Sequence, residues 1–147
     1  MSGSRTMSPT SATAVPRRSC TRSFPGRREH VRQARAFMTV FLDGCPAADD
    51  AVLLISEIAA NAVAHSASGR PGGTFTLRAR VDGDGCLHAE VEDQGSGWDG
   101  NLGTAEAPHG LFLLRTLSAA CGTRRGENGW VTWFALAVPA TEKAPPS

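Results

Sequence analysis

The 147-residue sequence predicts an α+β fold: a two-layer sandwich with helices on one face of a mostly antiparallel sheet. Three observations carry this. "TFTLRARVDGDGCLHAEVED" alternates apolar and polar residues on both sides of a glycine-containing turn, the pattern of a hairpin with one packed and one wet face. "TRRGENGWVTWFALAVP" reads as a second hairpin, turning at 126–129 into a strand heavy in Trp, Phe and Val. Ahead of both, two segments place apolar residues on helical faces. Adjacent hairpins imply antiparallel pairing, and helices gathered on one side of such a sheet complete the two layers.

Taken in order, the first element is a short strand at 21–24, ended by the Pro25-Gly26 turn. "REHVRQARAFMTVFL" spaces Val31, Ala34, Met38 and Phe41 by 3, 4 and 3 residues, an amphipathic helix running up to Asp43-Gly44. Pro46 starts the next helix, and Asp49 and Asp50 sit near its positive end. "SASGRPGG" stops it. In the first hairpin Phe75, Leu77, Ala79 and Val81 point inward, as do Leu87, Ala89 and Val91 across from them. "DGDG" invites a calcium-loop reading, but its ligand spacing is too short, and it reads as a turn. A glycine-rich loop at 94–110 leads into "GLFLLRTLSAAC", where Leu111, Leu114 and Leu117 mark a third helix. The predicted order is β-α-α-β-β-loop-α-β-β, and there is no internal repeat.

The chain reads as one domain, 21–139, between a basic, disordered arm at 1–20 and a flexible tail at 140–147. Eight of the fifteen basic residues fall in the first 35 positions, against one acid, Glu29. From Ala36 onward seven basic residues face thirteen acidic ones. Clustered arginines suit phosphates, yet no nucleic-acid recognition motif accompanies them, so a solvated leader is expected rather than a nucleic-acid contact. No apolar run reaches the length of a secretory signal or a membrane span. Cys20, Cys45, Cys86 and Cys121 stand 25, 41 and 35 residues apart, without a C-x-x-C pair, so neither zinc nor a disulfide framework is expected. Isolated thiols suit a reducing cytoplasm.

Three features could carry chemistry. From Ala51 to Ala64 eleven of fourteen residues are apolar, yet Glu57, Asn61 and His65 recur every four residues and share one face. A charge or an unpaired amide against a core is costly, so this stripe faces either water or a ligand. In "VEDQGSGWDG", Asp93 ends a strand and Gly95 and Gly97 follow. A carboxylate there suits an exocyclic amine, and glycines admit a planar ligand; an ordinary Asx turn is the competing reading. In "PHGLFLL", Gly110 precedes a helix whose first amides form an anion site, although many helices begin near glycine with no ligand.

Together, in this order, the three features resemble the ATP-binding domain shared by gyrase, the heat-shock chaperones, histidine kinases and the mismatch-repair ATPases. The resemblance runs from about Thr21 to Pro139. "SEIAANAVAH" resembles the family's asparagine box, "VEDQGSGW" its first glycine box and "HGLFLL" what is left of its second. Within the family the chain is most similar to the small bacterial anti-sigma-factor serine/threonine kinases. The resemblance implies the two-layer histidine-kinase/gyrase-type (Bergerat) fold and the cofactors ATP and Mg²⁺. It implies Asn61 as the Mg²⁺ ligand, Glu57 as the general base, and Asp93 as the reader of adenine under Gly95 and Gly97. His109, Gly110 and Leu111 would cap the phosphates, and His65 would either meet a phosphate or close the pocket. The implied partners are a sigma factor and a small antagonist protein, with homodimerisation. One departure stands out: Pro108-His109-Gly110 keeps only the later of the two glycines usual in the second box. That leaves open a non-catalytic, ATP-responsive partner-binding module of the same fold. A full histidine kinase would need a separate helical phosphoacceptor domain, and the first 45 residues hold one short helix.

Overall fold

The computed structural model describes residues 17–95 and 110–137. Strand β1 (Arg18–Pro25) is followed by helices α1 (Arg28–Phe41) and α2 (Ala48–His65) and a 3₁₀ turn at Ala67–Gly69. Strands β2 (Thr74–Val81) and β3 (Leu87–Glu92), helix α3 (Gly110–Leu117), and strands β4 (Ala120–Arg125) and β5 (Trp130–Leu136) complete the order. The strands form one sheet, β1-β2-β3-β5-β4, and every neighbouring pair is antiparallel. This is the predicted architecture.

The alternation in β2 and β3 does what it predicts. Register pairs Leu77 with Val91, Ala79 with Ala89 and Val81 with Leu87, and all six side chains are buried. They meet Leu54, Ile55, Ile58 and Ala62 of α2, together with Met38 of α1 and Leu114 of α3, in one core. Phe24 stacks on Phe75 at 5.5 Å between ring centres and ties β1 into it. The "DGDG" segment is a turn: the Gly85 amide donates to the Asp82 carbonyl at 2.9 Å, and Gly85 takes φ +90°.

Three details depart from the sequence reading. β1 begins at Arg18, so residues 18–20, assigned above to the arm, belong to the sheet. Arg18 explains this, since its guanidinium donates to the carbonyls of Phe41 (2.8 Å) and Asp43 (3.3 Å) and so satisfies the C-terminal end of α1. α3 ends at Leu117, and Ala120 and Cys121, read as helix, pair with Ala135 and Phe134 in the sheet. The Ser118 hydroxyl competes for the helical carbonyl of Leu114, and the Ala119 amide already donates to Ala135. Lastly, the outer face of the sheet is not simply wet. Arg78 donates to Glu90 and to Glu92, each at 2.6 Å, and Arg124 donates to Glu90 at 3.0 and 3.1 Å. Both glutamates are only 5% exposed.

Candidate functional site

α2 carries the polar stripe where the spacing puts it. Glu57 and Asn61 are half-buried, and His65 is the exposed last residue of the helix. Glu57 makes no ion pair or side-chain hydrogen bond among the described residues. Asn61 is the more telling: its Nδ2 atom is buried and has no hydrogen-bond partner among the described residues. A buried amide group left so costs roughly 1–3 kcal/mol, and few native groups are left in that state without a reason. Rotating the planar amide by half a turn presents the oxygen at the same place, so the position offers a donor or an acceptor.

At the other side of the site, Asp93 is the first residue past β3 and is 5% exposed. Its Oδ1 accepts from the Gly95 amide at 2.8 Å and from the Trp130 amide at 3.1 Å. Its own amide donates to the Trp130 carbonyl at 2.9 Å. Gly95 takes φ +85°, a conformation that side chains resist, and this bend returns its amide to the carboxylate. Burial pushes the Asp93 carboxyl above the ordinary aspartate range; the two amides offset part of that rise, and neighbouring Glu92 adds to it.

The segment after α2 joins the stripe to this carboxylate. The Ala67 amide donates to the Gly95 carbonyl at 2.9 Å, and the Gln94 amide donates to Ser68 Oγ at 3.1 Å. Ser66 Oγ accepts from the Ser68 amide at 3.0 Å and turns the chain into the 3₁₀ turn. The end of the asparagine-bearing helix and the loop that follows Asp93 are therefore fastened together. α3 starts at Gly110, as the sequence predicts. Gly97, Trp98, Pro108 and His109 lie outside the described residues, as does the side chain of Leu111.

Two supports were not foreseen. Fully buried Ser68 sits in a stretch that reads from sequence only as a helix stop. The Trp130 amide comes from a strand 37 residues from Asp93, and no local pattern announces a backbone donor. Chemically, the arrangement offers a carboxylate and an amide group held at one end of a sandwich, with a solvent-accessible carboxylate, Glu57, one turn from the amide.

The profile of the histidine kinase-like ATPase domain family matches residues 24–136. No curated protein matches the chain. Among solved structures it is similar to a chain described as the RsbU and RsbW domains of Rv1364c from Mycobacterium tuberculosis, at 23% identity and a TM-score of 0.61. The match covers 84% of this chain and 33% of that one, so the chain spans about a third of that structure's length, and the likeness is one of fold.

Proposed function

The chain belongs to the histidine kinase-like ATPase domain family, and from that premise we propose that it is a Mg·ATP-binding serine/threonine protein kinase that acts as an anti-sigma factor. Its five-stranded antiparallel sheet under helices is the two-layer ATP-binding fold of that family. In this reading the protein works in a bacterial cytoplasm, sequesters a sigma factor, and phosphorylates a small antagonist protein. Homodimerisation belongs to the same proposal. No helix among the described residues is long and apolar enough to cross a membrane.

The observation that carries the reading is the buried Asn61 amide nitrogen, without a partner among the described residues, on a helix fastened through residues 66–68 to the loop after the buried carboxylate of Asp93. The donor set fits Mg·ATP. Asn61 supplies an amide oxygen, the ligand type a hard cation prefers, and Asp93 supplies an acceptor for the exocyclic amine of adenine. Bound Mg·ATP supplies the transferable γ-phosphoryl group and the positive charge that neutralises it. Asp93 holds the base, while Gly95, and Gly97 after it, let the backbone approach the base's plane. Glu57, one turn before Asn61 and without an ion-pair partner among the described residues, takes or orients the proton of the substrate hydroxyl. The amides at the start of α3, from Gly110 and Leu111, and His109 before them, stabilise phosphate charge. His65, the exposed last residue of α2, closes the rim of the site.

A second reading, a non-catalytic ATP-responsive module, is favoured by Pro108, which has no N–H to donate where the family usually has glycine. Retention of Glu57, which a pure binder does not need, favours the kinase. Calorimetric titration with Mg·ATP, with Asp93→Asn as control, tests the nucleotide site. Transfer of labelled γ-phosphate to an antagonist protein, lost in Glu57→Gln with ATP binding kept, tests the kinase. Binding without transfer establishes the ATP-responsive module instead, and no binding at millimolar ATP, about −4 kcal/mol, rejects the kinase and leaves a partner-binding module indifferent to ATP.

A further inference from the structure

Asp93 is gripped from two sides. Gly95 comes from its own loop, but Trp130 comes from the far side of the β4–β5 turn, residues 126–129. That turn is closed by the Gly126 amide donating to the Gly129 carbonyl at 2.7 Å. On the outer face of the sheet it holds Glu92, whose Oε2 accepts from the Asn128 amide at 2.8 Å. On the inner face it holds Asp93. The 126–129 turn and the first residue of β5 after it therefore hold two consecutive acids that point to opposite sides of the sheet.

The two glycines of the turn differ in what a side chain would meet. A Cβ on Gly126 would strike the Glu92 carboxylate, with its Cδ at 2.8 Å, and the Val131 Cγ2 at 2.7 Å. These are side-chain atoms of Glu92 and Val131, and none belongs to Asp93 or to the glycine loop. A Cβ on Gly129 would strike the Gly95 amide nitrogen, the Asp93 carbonyl oxygen at 2.6 Å and Asp93 Oδ1 at 2.8 Å. Two of these are backbone atoms of the glycine loop, and the third is the oxygen on which both holding bonds converge. Nothing there yields without moving the carboxylate.

We propose that Gly129 is a positioning residue for base recognition. Its bare Cα lets the β4–β5 turn seat against the loop at 93–95, so that the Trp130 amide fixes the Asp93 carboxylate in one orientation. Both side-chain bonds fall on Oδ1, and among the described residues nothing holds the second oxygen. The inference rests on the reading of Asp93 as the acceptor for adenine. It adds that selectivity for adenine is set from behind, by a turn 33 residues further along the chain that itself contributes no side chain to the base.

The consequence is specific to the base. Adenine presents a donor where guanine presents a carbonyl, so a fixed carboxylate favours ATP and repels GTP, whereas phosphate contacts are common to both. The experiment titrates wild type, Gly126→Ala, Gly129→Ala and Asp93→Asn with Mg·ATP and Mg·GTP, with thermal melts alongside. Gly129→Ala is expected to weaken ATP at least tenfold, to leave GTP unchanged or tighter, and thus to resemble Asp93→Asn. Gly126→Ala, which meets side chains and not the Asp93 loop, should lose less ATP affinity than Gly129→Ala and should lose ATP and GTP alike. If wild type binds ATP and Asp93→Asn does not, while Gly129→Ala behaves as Gly126→Ala does, the positioning role is overturned and the nucleotide site stands. Equal losses for ATP and GTP in Gly129→Ala also overturn it, because a general loosening of the fold would do that. No ATP binding by wild type overturns the underlying reading and this inference with it. Should Gly129→Ala not fold, the Trp130 amide resonance of the wild-type protein decides. It is expected to shift on addition of Mg·ATP, and a resonance that stays in place overturns the inference.

Discussion

Glu92 and Asp93 are neighbours in sequence, equally buried and both carboxylic acids, yet the protein treats them in opposite ways. Glu92, with Glu90, belongs to the outer-face cluster, where Arg78 and Arg124 and the Asn128 amide supply partners. Burial would raise both glutamates, but the guanidinium bonds and, for Glu92, the amide outweigh it and hold both below their ordinary value of 4.5. Asp93 faces the helices with two neutral amides and no cation among the described contacts, and burial wins, raising it above 3.8. A buried polar group that is fully met is structure. One that is held in place but under-compensated, as Asp93 and Asn61 are, is held for something else.

The largest test of that contrast is Asp93→Asn. The amide oxygen can still accept from Gly95 and Trp130, so the substitution removes charge with little change in shape. ATP affinity should fall about a hundredfold, the scale of a lost charge-assisted hydrogen bond at about 1.4 kcal/mol per tenfold. The thermal midpoint at pH 7 should hold or rise, because an under-compensated buried charge has gone. A clear fall in the midpoint would make Asp93 a structural residue like Glu92.

Next in size is Glu90→Ala, which removes the hub of the outer cluster. Breaking a buried ion pair costs about 3–5 kcal/mol, but Arg78 and Arg124 keep 34% and 51% of their side chains exposed and can turn to water. The expected loss is therefore about 1–2 kcal/mol, read in a denaturant midpoint, with ATP affinity within about twofold of wild type. A large loss of ATP affinity would show that the two faces are not independent.

The pH dependence separates the faces by sign. Glu90 and Glu92 are lowered, so their contribution to stability is complete above 4.5 and is lost as pH falls through their depressed values. Asp93 is raised, so its contribution is complete below 3.8 and is lost as pH rises through its elevated value. Thermal midpoints measured from acid to neutral pH should show wild type gaining on Glu90→Gln and losing ground to Asp93→Asn. Parallel curves would remove the distinction.

Most of this fold could be read from spacing, because spacing decides it. Alternation in 74–81 and 87–92 put Phe75, Leu77, Ala79, Val81, Leu87, Ala89 and Val91 in the core, and four-residue steps put Glu57, Asn61 and His65 on one helix face. What stayed hidden is held by contacts between distant residues. Arg18 reads as part of a basic arm until the end of α1 is seen to need a donor. Ser68 and Trp130 support Asp93 through a hydroxyl and a backbone amide, and Arg78, Glu90 and Glu92 look like an ordinary wet face until the register pairs them. A period reports which face a residue occupies; it does not report what waits there.

The smallest stability effect is expected at Asn61, and it bears most directly on what the stripe is for. If the amide were part of the packing, Asn61→Leu would strand neighbouring polar groups and destabilise the fold. But its Nδ2 has no partner among the described residues, so little is there to lose. Replacing an unsatisfied buried amide by an apolar group of similar volume should leave stability unchanged or raise it by up to about 1 kcal/mol. Mg·ATP binding, in contrast, should weaken, and the loss should shrink when Mg²⁺ is withheld from both proteins, since the metal-dependent part is what Asn61 supplies. A variant that is less stable and binds Mg·ATP as well as wild type would put Asn61 with Glu92, on the structural side of the comparison.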